Sequence, residues 1–187
     1  MLRLATPSLA LYKPPLNLVL GGMGTPTGGR IFASHYQVLV CDDPLATLED
    51  DENWNQESTQ RGFADNQRSR LFRTEADLND HWIEIVCATE PPNLDRWDSV
   101  MCANFNSTTG LVHIMSVLDD EPVLSIEVER GAYSLYFAGL NIGIDQLSLG
   151  EEHELTDEQL AQRMDLERYR VHLVPGHSNK VGRLKDV

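Results

Sequence analysis

The stretch LSIEVERGAYSLYFAGL (residues 124–140) indicates a β-rich fold, because its side chains alternate between apolar and polar. In its first half, Leu124, Ile126 and Val128 fall on one face and polar side chains on the other, as expected of a half-buried strand. The second half, AYSLYFAGL (132–140), repeats this pattern. Arg130-Gly131 between them has the character of a tight turn, so we expect the two runs to pair as a β-hairpin.

Similar runs predict strands along most of the chain, at residues 16–20, 34–41, 69–74, 81–87, 99–105, 111–117 and 168–174. Many short strands with turn residues between them are typical of a sandwich or barrel. We predict an all-β fold, an antiparallel, jelly-roll-like β-sandwich with one or two short helices. The length suits a single domain over residues 1–187. Its parts are an N-terminal extension (1–30), a β core (31–144), an acidic insertion with a short helix (145–167), and a last strand with a basic tail (168–187).

Two stretches favour short helices within this β-rich chain. NWNQESTQRGFA (53–64) predicts one helix, with Trp54 as its packing anchor, Gly62 as its C-cap and Phe63 as the return into a strand. TDEQLAQRM (156–164) predicts the other, because Thr156 and Gln159 have the spacing of a capping box. Leu160 and Met164 would form an apolar pair on this second helix.

The charge balance excludes several classes of partner. With 15 Lys and Arg against 29 Asp and Glu, the formal net charge is −14. Such a field repels nucleic acid and anionic membranes and attracts basic proteins. Cys41, Cys87 and Cys102 lie far apart in apolar runs, which favours free thiols in a reducing compartment. No apolar stretch approaches the ~20 residues of a membrane span. We therefore predict a cytoplasmic protein with no direct contact to nucleic acid or membrane.

The motifs of catalysis and cofactor binding are missing from the sequence. GGMGTPTGG (21–29) lacks the GxxxxGK[ST] pattern of a phosphate loop and predicts a flexible connection between strands. EEHE (151–154) is typical of a solvated loop rather than a metal site. The histidines show no HExxH spacing, and no GxSxG elbow is present. We predict that the protein is not an enzyme and has no catalytic residues, metal or cofactor.

Acidic residues concentrate in two stretches that contain no Lys or Arg, residues 31–60 and 131–162. They can simply keep loops solvated, or they can form an acidic face that docks on a basic surface. A face of carboxylates can also occupy the cleft of a nuclease as a phosphate mimic. The candidate partner-binding residues are Asp42, Asp43, Glu49, Asp50, Asp51, Glu52, Glu151, Glu152 and Glu154.

Three motifs together resemble the competence protein J family of bacteria. They are SHYQVLVCDD (34–43), NWNQESTQRGFA (53–64) and LSIEVERGAYSLYFAGLN (124–141), which occur in the order of the family pattern. The counterparts of its markers are His35-Tyr36-Gln37, Trp54 with Gly62-Phe63-Ala64, and Gly131-Ala132-Tyr133. The resemblance implies a small, β-rich, cytoplasmic protein and, in the characterised branch, an inhibitor of a DNA-entry nuclease. The chain departs from the family in its N-terminal extension, its acidic insertion and its longer tail.

Charge and resemblance together predict a non-enzymatic module that binds a basic partner protein, most concretely a nuclease whose basic cleft it blocks. A second hypothesis is a β-sandwich that binds a small molecule or carbohydrate, with Trp54, Trp82 or Trp97 as a stacking platform. A third is a structural subunit of an assembly, which a broad exposed apolar patch would favour. The sequence does not predict an oligomeric state.

Overall fold

The computed structural model of the chain describes residues 18–20, 24–47, 54–66, 68–144 and 154–186. The strands of these residues are β1 (Leu18–Leu20), β2 (Thr27–Ala33), β3 (Gln37–Cys41), β4 (Phe63–Asp65), β5 (Ser69–Arg73), β6 (Asn79–Cys87), β7 (Ser99–Ser107), β8 (Leu111–Met115), β9 (Leu124–Glu127), β10 (Gly131–Leu140), β11 (Arg168–Pro175) and β12 (Gly182–Lys185). The short helices are α1 (Pro44–Thr47), α2 (Gln56–Arg61) and α3 (Asp157–Gln162). A single 3-10 turn spans Leu94–Arg96.

The strands form two six-stranded sheets that pack face to face. The first sheet has the order β1-β9-β8-β3-β5-β4, and the second has the order β12-β7-β10-β11-β6-β2. Neighbouring strands are antiparallel except for β1 with β9 and β6 with β11, which are parallel. The prediction of an all-β sandwich with short helices is confirmed. The sequence analysis expected antiparallel pairing throughout, and the two parallel pairs depart from that expectation.

Alternation builds the core between the sheets. Val38 and Phe72 face it from the first sheet, and Leu135, Phe137 and Tyr169 face it from the second. The rings of Phe72 and Phe137 stack across the interface with centroids 4.8 Å apart, and Phe137 stacks on Tyr169 at 4.7 Å. Because these rings belong to both sheets, burial of their apolar surface holds the two layers together.

The predicted hairpin between residues 124–129 and 132–140 is wrong. β9 pairs with β8 and β1 in the first sheet, whereas β10 pairs with β7 and β11 in the second. Leu124 and Ile126 do face the same core as Leu135, but from the opposite side. After β9 the chain therefore crosses from one sheet to the other, and β10 begins at Gly131, which has a φ of +153°. The alternating pattern identified the buried faces but not the strand partners.

Two strands lie where the sequence predicted irregular structure. β2 begins inside the glycine-rich stretch and pairs with β6 at the edge of the second sheet. A Cβ atom on Gly28 would lie 2.6 Å from the Trp82 ring, so the missing side chain lets this indole lie against the strand. β12 lies in the predicted basic tail and pairs with β7. Residues 21–23 of the glycine-rich stretch lie outside the described residues.

Both predicted helices are present and capped. α2 begins after Asn55, whose side chain accepts a hydrogen bond from the Ser58 backbone, and ends at Gly62, which has the left-handed φ of +82°. Thr156 and Gln159 form the capping box of α3. Leu160 is buried, but α3 ends at Gln162 and Met164 is exposed, so the predicted Leu160–Met164 pair does not form.

Candidate functional site

Asp42, the first of the predicted partner-binding acids, is a structural residue. Its carboxylate is 1% exposed and accepts hydrogen bonds from the Thr108 and Thr109 backbones, at 3.0 and 3.1 Å, and from three nearby hydroxyl groups. Burial alone would raise the pKa of Asp42, but these hydrogen bonds outweigh it and lower the pKa below its ordinary value. The carboxylate holds the β7–β8 turn from inside, so its hydrogen-bonding capacity is used within the protein, and direct contact of Asp42 with a partner stays an untested prediction.

The other predicted acids divide into two groups. Asp43 is half-buried and forms an ion pair with Arg68 at 3.0 Å, so a nearby cation offsets its charge. Glu154 is exposed and lies just before α3. The remaining predicted contacts lie outside the described residues, and they are Glu49, Asp50, Asp51, Glu52, Glu151 and Glu152. That the acids of the two stretches form an acidic face stays a prediction.

Three connections lie together at one end of the sandwich, at residues 34–36, 74–78 and 141–144, and we call them the loop end. They contain the left-handed non-glycine residues of the described chain, His35, Tyr36, Leu78 and Asn141, with φ between +52° and +60°. A left-handed backbone costs about 1–2 kcal/mol at each such residue, so the surrounding structure must hold it in place.

Hydrogen bonds fix the first two connections against each other. The Tyr36 backbone donates to Oδ1 of Asp77 at 3.1 Å, and the Tyr36 carbonyl accepts from the Thr74 backbone at 2.9 Å. The same Oδ1 of Asp77 accepts from the Leu78 backbone at 2.9 Å. The left-handed turn at His35 and Tyr36 is therefore held in one conformation.

Glu167, which is 1% exposed, links the second and third connections. Its Oε1 accepts from the backbones of Glu75 and Ala76 at 3.1 and 3.2 Å and from the Tyr169 hydroxyl, and its Oε2 accepts from the Gly143 backbone at 3.1 Å. Burial first, and then the neighbouring carboxylate of Glu167, raise the pKa of Tyr169 well above its usual value. One buried carboxylate thus holds two of the three connections of the loop end together.

Two recesses open beside these loops. The larger, of about 410 Å³, lies over Tyr169 and is bordered by Glu75, Gly143 and Arg183. The other, of about 400 Å³, is lined by His35, Tyr36, Gln37, Trp54, Thr59 and Arg73. We call the latter the Trp54 groove. Arg73 lines both recesses.

The Trp54 groove combines aromatic surface with hydrogen-bond donors. Tyr36 is 42% exposed, and the Arg73 guanidinium carbon lies 5.7 Å from the centroid of its ring. Trp54 packs on the buried cluster on the outer face of the first sheet. Its indole N–H is buried and has no acceptor among the residues that the structure describes. The groove therefore presents the Arg73 guanidinium and the Tyr36 ring beside a rigid turn.

The sequence contained part of this groove without revealing it. His35-Tyr36-Gln37 and Trp54 are two of the family markers, and the structure brings them together, whereas they are separated in sequence by the acidic stretch. Arg73 was missed, because an arginine at the end of a strand is ordinarily a solvated residue. Trp97 is buried, and Trp82 lies over Gly28.

On the outer face of the second sheet, His172 carries a large pKa shift. Its ring meets the ring of Trp97 edge-on with centroids 5.7 Å apart, and Arg170 lies over the same indole. Burial, followed by the charge of Arg170, lowers the pKa of His172 to about 4. At neutral pH this histidine is uncharged and acts as a packing residue. In the described part of the chain, no group of three His, Cys, Asp or Glu residues is arranged to hold a metal ion.

The fold and site define a small two-sheet β-sandwich with one rigid loop end. The family model of Competence protein J (ComJ) matches residues 30–162, so the chain belongs to the ComJ family, as the sequence motifs predicted. No protein with a curated description matches the chain. In the described residues, no helix has the length and apolarity to cross a membrane.

Two solved structures are similar to this fold. One is the crystal structure of ComJ, inhibitor of the DNA degrading activity of NucA, from Bacillus subtilis, with a TM-score of 0.57 and 16% sequence identity over 84% of this chain and 100% of that one. The other is described as Crocagin biosynthetic gene J, with a TM-score of 0.53 and 10% identity over 82% of this chain and 100% of that one. At these identities the similarity shows a shared fold.

Proposed function

We propose that this protein is a non-enzymatic inhibitor that binds a DNA-degrading nuclease and blocks its substrate cleft. The observation that carries the proposal is membership of the ComJ family over residues 30–162, supported by the fold shared with an inhibitor of NucA. The net charge of −14 is also consistent with a protein that competes with DNA for a basic surface.

The mechanism combines steric cover with electrostatic attraction. The rigid loop end supplies a surface that loses little conformational entropy on binding. Carboxylates attract a basic cleft, and the proposed contacts are Asp43, Glu49, Asp50, Asp51, Glu52, Glu151, Glu152 and Glu154. Asp42 contributes indirectly, because it holds the turn next to Asp43 and Arg68.

The direct test is a DNA-cleavage assay with purified NucA and increasing amounts of this protein. A parallel assay would use the nuclease activity that the immobilised protein captures from its native lysate. We expect inhibition that saturates at a fixed stoichiometry and weakens as salt rises from about 50 to 300 mM, because screening shortens the reach of exposed charges. Absence of inhibition and of binding with both nucleases would refute the proposal.

The acidic contacts have a separate test. Two variants would replace Glu49, Asp50, Asp51 and Glu52, or Glu151, Glu152 and Glu154, with the corresponding amides. The matched control replaces Glu90, Asp95 and Glu129, which are exposed in other parts of the fold. We expect weaker inhibition and a shallower salt dependence for the first two variants. Unchanged inhibition by both variants would show that inhibition does not depend on these acids.

Binding of a small ligand is the second candidate function, because the Trp54 groove has a volume within the ~300–1,000 Å³ range of ligand sites. The test is a thermal-shift screen of neutral sugars with the unmodified protein and the Trp54→Phe variant. A dose-dependent stabilisation that the variant loses would support this function. Stabilisation that is equal in both proteins would place the ligand elsewhere.

A further inference from the structure

The Trp54 groove has the charge and the donors of a site for a carboxylate. Resting on the proposed function, we propose that it receives one Asp or Glu side chain of the bound nuclease. Arg73 would hold the carboxylate, with the Trp54 side chain as part of the wall of the groove. The inhibitor would then bind through a cationic recess as well as through its acidic surface.

The first support is the state of Arg73. Other buried or half-buried arginines have anionic partners within 3.4 Å, and they are Arg30, Arg61, Arg168, Arg170 and Arg183. Arg70 instead donates to backbone carbonyls. Arg73 is half-buried, yet within the described ranges its guanidinium has neither an ion pair nor a hydrogen bond. Arg73 also lines the recess over Tyr169, which Glu75 borders, but the described lining of the Trp54 groove contains no carboxylate, so on this side the cation is available to an external one.

The second support is preorganisation. The Tyr36 ring lies under the guanidinium, and stacking of this kind restrains the side chain while leaving its N–H groups free. Tyr36 itself is held in a left-handed backbone by its bonds to Asp77 and Thr74. The groove therefore offers a fixed cationic fork rather than a mobile charge.

The third support is the match between donors and ligand. An arginine fork has planar N–H groups that pair with two oxygens at once, and a carboxylate is an acceptor-only group with that geometry. The Trp54 side chain lines the same groove, and its buried indole N–H has no acceptor among the described residues, so this N–H can report on a ligand in the groove. The alternative anion is a DNA phosphate. A polyanion is disfavoured by the net charge of −14, whereas a single side chain fits a recess of about 400 Å³.

Simple charge attraction and a carboxylate site at Arg73 predict opposite effects of Arg73→Gln on binding affinity. Arg73→Gln makes the inhibitor more acidic, which should leave unchanged or strengthen binding to a basic cleft. If Arg73 holds a carboxylate of the nuclease, the same change should weaken binding at least 10-fold, measured by calorimetry with NucA at constant ionic strength. Arg73→Lys should restore only part of the affinity, because a single ammonium cannot replace the fork.

Arg130→Gln is the matched control. Arg130 is exposed, has no ion pair in the described structure, and lies just before β10, whereas the loop end follows this strand. Ten residues of strand separate the two ends by about 30 Å. We expect affinity within 2-fold of the unmodified protein. Equal or tighter binding by Arg73→Gln would overturn the proposal, whereas failure of the unmodified protein to bind any nuclease would count against the proposed function instead.

A measurement without nuclease tests the recess itself. The Trp54 indole N–H signal, assigned by its loss in Trp54→Phe, would be followed by NMR during titration with N-acetylglutamate amide and, as the control, N-acetylglutamine amide at equal ionic strength. We expect a saturable shift with the carboxylate only, and none in Arg73→Gln. No shift with the carboxylate would overturn the assignment, and a shift with a short DNA oligonucleotide alone would reassign the groove to phosphate. Melting curves of each variant would confirm that it is folded.

Discussion

The Tyr169 hydroxyl donates a hydrogen bond to the Glu167 carboxylate beneath the loop end. Glu167 directly precedes β11, and Tyr169 is the second residue of that strand. The same carboxylate accepts three backbone N–H groups from connections that are distant in sequence. One buried carboxylate therefore holds these surface connections in place. Changes at Glu167 should therefore affect stability and the shape of the loop end together.

Glu167→Gln should destabilise the protein by about 3 kcal/mol, because the amide NH₂ would face backbone donors and one charge-assisted acceptor would be lost. Glu158→Gln, on the exposed side of α3, should change the free energy of unfolding by less than about 0.5 kcal/mol. Urea titration of both variants measures the difference. Equal stability of the two would show that the carboxylate does not anchor the loops.

Gly62→Ala should destabilise the protein more than Gly176→Ala. Both glycines have left-handed φ angles, +82° and +90°, so the backbone cost of about 1–2 kcal/mol is shared. A Cβ atom on Gly62 would also lie 2.3 Å from the Met101 sulfur, whereas none of the surrounding atoms lies within 4 Å of one on Gly176. The difference in melting temperature isolates this clash, and a larger loss in Gly176→Ala would contradict it.

The protein should lose stability as pH falls from about 6.5 to 4, in part through His172. Its folded pKa of about 4 is below the unfolded value of 6.5, so in this window the unfolded chain binds the proton and the folded chain does not. The contribution is at most about 1.4 kcal/mol per pH unit. His172→Asn removes this group, so its stability should fall less steeply over that window than that of the unmodified protein. Parallel slopes would show that His172 does not titrate in this way.

Asp42→Asn should affect stability, and Asp43→Asn should affect nuclease binding. The first change leaves buried donors of Thr108 and Thr109 without a full set of acceptors, at about 2–3 kcal/mol. The second removes a half-buried charge that pairs with Arg68, and the amide oxygen can still accept the hydrogen bond from the Leu45 backbone, so the effect on stability should be smaller. Denaturation and inhibition assays on both proteins separate the two effects. A stable Asp42→Asn protein with impaired binding would return Asp42 to the contact surface.

The sequence predicted faces and caps well because these depend on neighbours along the chain. Alternation in residues 132–140 identified the buried side of β10, and the Gly62 C-cap follows from the need for a left-handed residue at the end of α2. Strand partners depend on contacts between distant segments, and alternation is the same whether two strands share a sheet or face each other. The hairpin prediction failed for that reason.

The candidate site was harder to predict because its parts are scattered and individually ordinary. An exposed Tyr36, a partly buried Trp54 and a strand-end Arg73 each have a common structural explanation. They form a candidate site only because the left-handed turn and the fold bring them to one groove. Asp42 is the opposite case. Its position in an acidic stretch suggested a surface charge, whereas its carboxylate is buried and hydrogen-bonded to Thr108 and Thr109, which are distant in sequence.

The position of β11 has a consequence for synthesis on the ribosome. β11 lies between β10 and β6 in the second sheet and immediately follows Glu167, yet β6 leaves the ribosome long before it. Until residues 168–175 emerge, β6 and β10 have no partner on their shared side and the loop end has no anchor. A nascent chain halted before β11 and Glu167 would carry the acidic residues but would lack the carboxylate that holds residues 75, 76 and 143 together. The cell would therefore gain a competent binder only at the end of translation, and prematurely terminated chains would expose unpaired strands to proteolysis rather than compete for the nuclease.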